Sequence, residues 1–89
     1  MDYQVDLAEV RSPAQLHQRV RDSLPCPAWY GDNLDALHDV LTEQGPGWTV
    51  SFVHAGALAQ ALPAYEAALR RMCRDAEKET PGLTILFLP

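Results

Sequence analysis

Basic residues are scarce in this 89-residue sequence, and neither lysine nor arginine occurs between Asp22 and Arg70. The chain has 7 Lys plus Arg against 12 Asp plus Glu, which leaves a formal net charge of −5. Nucleic acid binding depends on basic side chains that neutralise phosphates, and binding to anionic membranes uses the same attraction. The composition therefore argues against nucleic acids and membrane surfaces as partners.

Long apolar runs are also missing, although 47% of the residues are hydrophobic. No stretch approaches the roughly 18 to 20 apolar residues that span a bilayer, and residues 1 to 6 do not have the pattern of a secretory signal. A chain of this length has room for one hydrophobic core. We therefore expect a single domain over residues 1 to 89, located in the cytoplasm.

Cysteine and histidine are too few and too scattered to indicate a metal site or a disulfide framework. Cys26 and Cys73 form no C-x-x-C motif, and the three histidines have no H-x₃-H spacing. We expect free thiols and neither a metal nor another cofactor. His17 and His54 are expected to be surface or hydrogen-bonded residues.

The first third of the chain predicts a strand and then a helix. Tyr3, Val5 and Leu7 alternate with polar residues, which is typical of a strand with one buried face. Ser12-Pro13-Ala14-Gln15 then has the composition of a helix start. Ser12 is a suitable N-cap, proline suits the first helical position, and Gln15 completes a capping box.

The second half repeats this order. Residues 48 to 53 alternate again, and residues 56 to 62 and 64 to 79 predict two helices separated at Pro63. Residues 83 to 88 are so continuously apolar that we expect a buried third strand. Long crossovers join parallel strands, so the predicted fold is α/β, a small layer sandwich of a three-stranded parallel sheet and about four helices.

Between these two halves lies a short helix with an acidic side. At about 100° per residue, Asp35, Asp39 and Glu43 fall within an arc of roughly 80°, and the opposite side carries Leu34, Leu37 and Leu41. Asp39 and Glu43 are a like-charge pair at i and i+4, which destabilises a helix slightly. Because no lysine or arginine nearby in sequence relieves this repulsion, the acidic side predicts a cationic partner.

The residues just before this helix indicate how it begins. Asn33 is a suitable N-cap, and Asp32 adds negative charge near the positive end of the helix dipole. We expect Gly31 to supply a backbone angle that other residues resist.

Residues 30 to 42, Tyr-Gly-Asp-Asn-Leu-Asp-Ala-Leu-His-Asp-Val-Leu-Thr, closely resemble the barstar family of intracellular ribonuclease inhibitors. Residues 11 to 18 and 83 to 88 are similar to the first helix and last strand of that family. The resemblance implies an inhibitor, acting as an antitoxin or immunity protein, whose acidic helix blocks the active site of a secreted ribonuclease. The partner that it implies is a cationic, barnase-like, extracellular-type ribonuclease.

The resemblance also implies which residues meet that nuclease. Asp39 takes the position of an aspartate that lies where a substrate phosphate would sit, and Asp35 takes that of a neighbouring carboxylate. His38 stands where the family commonly has tryptophan, and Trp29 where it commonly has tyrosine. Asp75 replaces a family glutamate near the end of the fourth helix. The remaining implied contacts are Tyr30, Gly31, Asn33 and Thr42.

Two other classes of function are open to the same residues. An enzyme could use Asp35 and Asp39 as paired carboxylates, but a chain this small has little material for a substrate cleft, so we predict that it is not an enzyme. An acidic binding module on the same scaffold could instead recognise another basic protein, such as the toxin domain of a secreted polyprotein. The second alternative stays open because the sequence does not identify the partner.

Overall fold

The computed structural model describes all 89 residues and contains three strands and four helices. Their predicted order is confirmed. Along the chain they are β1 (Asp2–Asp6), α1 (Pro13–Ser23), α2 (Leu34–Gln44), β2 (Thr49–Val53), α3 (Ala55–Ala61), α4 (Pro63–Glu79) and β3 (Thr84–Phe87).

The strands form one parallel sheet in the order β1-β2-β3, with Val5 opposite Phe52 and Phe52 opposite Phe87. Crossovers between parallel strands are nearly always right-handed, so successive crossovers that advance in one direction place their helices on one face of the sheet. Burial agrees, because Val5, Val50, Phe52 and Ile85 share one face and are all buried, whereas the alternate residues of β1 are exposed. The predicted α/β sandwich therefore has two layers, one of strands and one of helices.

The prediction that the third strand is buried is wrong for one face of β3. The apolar run was expected to form a strand buried on both faces, but Leu86 is 43% exposed and Leu88 is 42% exposed. The cause is the sequential strand order, which makes β3 an edge strand and leaves the second face of the sheet without helices. Glu77 Oε2 accepts a hydrogen bond from the outward-facing N–H of Ile85 at 3.1 Å, so part of this edge is occupied.

Both predicted helix starts are present. Ser12 Oγ accepts the N–H of Gln15 at 3.2 Å, and Asn33 Oδ1 accepts the N–H of Ala36 at 2.7 Å. The capping box differs in one respect, since Gln15 Oε1 accepts the N–H of Arg11, the residue before the N-cap, at 2.6 Å. Local sequence chemistry thus determines where α1 and α2 begin.

One continuous core of 20 buried hydrophobic residues joins the sheet to the helices. α2 contributes Leu37, Val40 and Leu41, and α4 contributes Leu69, Cys73 and Ala76. Both cysteines are free thiols, and burial raises the pKa of each. No helix combines the length and the apolar character that crossing a membrane requires.

Candidate functional site

The outward side of α2 presents carboxylates that no lysine or arginine neutralises. Asp35, Asp39 and Glu43 are all exposed, as the helical spacing predicted. None of them forms an ion pair with a lysine or arginine, and the nearest partner is His38, whose Nδ1 lies 3.8 Å from Asp39 Oδ1. The buried side of the same helix fixes it against the core. Negative charge is thus displayed on a rigid element.

A groove of about 400 Å³ separates α2 from α4. The polar residues that line it are Asp35 and His38 on α2 and Arg71, Asp75 and Glu79 on α4. The apolar residues that line it are Leu34, Ala68 and Met72. The fold therefore brings Asp75 into the same groove as Asp35, although 40 positions separate them in the sequence.

The segment before α2 carries other predicted contact residues. Trp29 is 51% exposed, and Gly31 and Asn33 are exposed as well. The prediction for Gly31 is wrong in one respect, because the positive φ, 54°, belongs to Asp32. Aspartate tolerates this conformation better than most residues do, since its short side chain can bond locally.

The side chain of Tyr30 does not lie on the surface. The residue is only 3% exposed, and its hydroxyl lies 2.5 Å from Nδ1 of the buried His17. Nε2 of His17 lies 2.7 Å from the hydroxyl of Tyr65. Burial lowers the pKa of His17 and raises the pKa of Tyr30. Tyr30 was expected to contact a partner, but its side chain is directed into the core and supports the segment before α2 from beneath.

A family model described as Barstar (barnase inhibitor) matches residues 1–87 of the 89. The chain belongs to the barstar family. Proteins of this family are inhibitors rather than enzymes, and they bind barnase-like ribonucleases. The match covers the whole of the sheet and all four helices, which agrees with the three-stranded parallel sheet and helical layer observed.

His38 connects α2 with α4 across the groove. Its Nε2 lies 2.8 Å from Glu79 Oε2, and the side chains of the two residues are 30% and 56% exposed. Thr42 lies one turn further along α2, and its hydroxyl donates to the carbonyl of His38 at 2.9 Å. Thr42 is half-buried, so it can offer a partner only part of its side chain.

Sequence reasoning missed two charged residues of this groove, Arg71 and Glu79. Both lie on α4, one helical turn before and one helical turn after Asp75. This spacing places all three side chains on the same side of the helix, so the sequence could have indicated them. Arg71 forms no ion pair, even though three acids share its groove. The groove therefore carries charges of both signs. On the outward side of α2, by contrast, every ionisable residue except His38 is acidic.

Proposed function

We propose that this protein is an intracellular inhibitor of a secreted, barnase-like ribonuclease, and that it acts as an antitoxin or immunity protein. The observation that carries the proposal is the uncompensated acidic side of α2. Asp39 occupies the centre of the inhibitory contact, with Asp35 beside it. Trp29, Gly31, Asn33, His38, Thr42 and Asp75 complete the surface.

Electrostatics support this assignment. A ribonuclease active site collects Arg, Lys and His side chains that hold phosphate, and a carboxylate forms strong charge-assisted hydrogen bonds with such groups. Asp39 and Glu43 repel each other in the free protein. Binding to a cationic cleft would offset this repulsion and would also form new contacts with both carboxylates. The net charge of −5 also favours rapid encounter with a basic enzyme.

Preorganisation supports it too. Leu37, Val40 and Leu41 are fully buried, so the backbone that carries the acids is already fixed before a partner arrives. A carboxylate on a fixed helix loses less conformational freedom on binding than one on a mobile loop does. The protein therefore blocks the enzyme as a rigid plug and has no hydrolytic activity of its own.

The test is titration of barnase with the purified protein while RNA hydrolysis is followed. We expect stoichiometric inhibition. Asp39→Ala should weaken it by about 2 kcal/mol or more, because cationic groups of the enzyme remain buried without a partner, a cost for which the barnase–barstar complex is itself a standard example. Asp35→Ala should rank second.

Glu43→Ala is the matched control, because it removes one carboxylate from the same side of the same helix. It should weaken inhibition less than either aspartate variant does. Equal inhibition by the parent, Asp39→Ala and Asp35→Ala would contradict the acidic-helix mechanism.

A second candidate function is recognition of another basic toxin by the same acidic surface. The observation that favours it is His38, which offers less apolar contact area than tryptophan and is bonded to Glu79. Capture of a non-nuclease basic toxin, together with failure to inhibit barnase, would support this candidate instead.

A further inference from the structure

The segment between α1 and α2, residues 24 to 33, has little backbone structure of its own. Only two main-chain hydrogen bonds begin and end within it, from Cys26 N–H to the carbonyl of Leu24 at 2.8 Å and from Tyr30 N–H to the carbonyl of Pro27 at 3.1 Å. It also contains Asp32 at a φ of 54°, a value that non-glycine residues rarely adopt. Side chains must therefore hold this segment in place.

Arg21, in the last turn of α1, makes three separate contacts with it. Nε donates to Asp32 Oδ1 at 2.7 Å, and Nη2 donates to the carbonyl of Tyr30 at 2.7 Å. The guanidinium carbon lies 5.2 Å from the centre of the Tyr30 ring. Tyr30 is thus held on one side by Arg21 and on the other by His17 in the core.

We infer that Arg21 is a positioning residue for inhibition, one that holds residues 29 to 33 in the conformation that meets the nuclease. The inference rests on the proposed function, because it assigns these residues to the contact surface. An exposed ion pair alone contributes little. Arg21 differs because its planar donors engage a side chain and a main-chain carbonyl at the same time, an arrangement that a lysine ammonium reproduces poorly.

Arg21 also has the wrong charge for direct attraction to the partner. Removing its positive charge makes the net charge more negative by one unit, and that change by itself should strengthen binding to a cationic ribonuclease. Loss of positioning has the opposite effect, because a disordered segment must be ordered on binding. The sign of the change in affinity therefore separates the two roles.

The experiment compares the parent with Arg21→Gln, Arg21→Lys and Arg19→Gln. Arg19 is the matched control, because it also lies on α1 and donates to main-chain carbonyls, those of Asp6 and Ala8, both at 3.1 Å. Urea unfolding first establishes that all four proteins fold. Amide hydrogen exchange in the free proteins and affinity for barnase are then measured.

Arg21→Gln should raise exchange at the Tyr30 amide by about tenfold while amides of α4 are unaffected, since local opening is independent of global unfolding. It should also weaken barnase binding by about tenfold, which is a modest ordering cost. Arg21→Lys should recover little of either loss. Arg19→Gln should leave the Tyr30 amide unchanged and bind barnase at least as tightly as the parent.

Unchanged exchange at Tyr30 in Arg21→Gln would overturn the inference, whatever the affinity. Faster exchange combined with binding as tight as that of Arg19→Gln would also overturn it, because the order of the segment would then not matter for inhibition. If the parent itself did not inhibit barnase, the proposed function would fail, and the exchange measurement would still decide whether Arg21 holds the segment.

Discussion

Two polar regions lie on either side of the segment that leads into α2, and they are built in opposite ways. Beneath it, the cluster of His17, Tyr30 and Tyr65 is buried or half-buried, and every polar side-chain atom in it has a partner. Beyond it, Asp35 and Asp39 on α2 are exposed, and neither pairs with a lysine or arginine.

The difference separates what stabilises the fold from what is available to a partner. Buried polar groups must be hydrogen-bonded because water is not there to replace a missing partner. Exposed carboxylates remain hydrated, so they contribute little to stability even when they repel one another. Stability and inhibition should therefore respond to different substitutions.

The largest expected contrast is between His17→Ala and Asp35→Ala in urea unfolding. His17→Ala should lower the free energy of unfolding by about 3 kcal/mol, because it leaves a cavity and unpaired tyrosine hydroxyls. Asp35→Ala should change it by no more than about 0.5 kcal/mol, as exposed substitutions usually do. Comparable losses in the two variants would show that the regions are not separable.

The next largest effect should come from lowering the pH, which should reduce the stability that the buried cluster contributes. Burial holds the pKa of His17 below its ordinary value of 6.5. Between the lower native pKa and that ordinary value, the unfolded chain therefore binds a proton that the native protein does not. The contribution of His17 is fully present above about pH 6.5 and is lost as the pH falls from there through the lower native pKa.

Urea unfolding at about pH 7.5 and about pH 5.5, on either side of the unperturbed value, measures this loss. His17→Gln, which cannot titrate, should lose less stability than the parent over the same interval. Parallel losses in the two proteins would assign the pH dependence to groups other than His17.

Salt should affect the exposed region and spare the buried one. Association with barnase should slow as ionic strength rises, because screening weakens the attraction between the acidic helix and a cationic cleft, while dissociation changes much less. Stopped-flow mixing at several salt concentrations measures both rates. A salt-independent association rate would indicate a mainly apolar interface.

The smallest expected effect is a gain. Glu43→Gln removes the repulsion between Asp39 and Glu43 and should stabilise the free protein by a few tenths of a kcal/mol. Thermal unfolding at low salt is the most favourable measurement, with Glu9→Gln as a control away from α2. A loss of stability would mean that the acids on α2 support the fold after all.

Local chemistry decided a large part of this structure. The order of strands and helices, the caps at Ser12 and Asn33 and the acidic side of α2 were all predicted from the sequence. Each depends on residues within about one or two helical turns of one another, where spacing alone determines which side chains meet. The family resemblance extended this information to Asp75, which no local pattern connects with α2.

Long-range packing decided the rest. Hydrophobic continuity did not reveal that β3 lies at an edge with one face of the sheet uncovered, because strand order is a property of the whole chain. Burial of Tyr30 depends on His17, 13 positions earlier, and His17 in turn bonds Tyr65, 48 positions later. The pair of His38 and Glu79 and the contacts of Arg21 with residues 30 and 32 arise in the same way. Such contacts form between side chains that only the packed layers bring together, so the sequence determined which groups were available and the tertiary structure determined which of them were exposed to a partner.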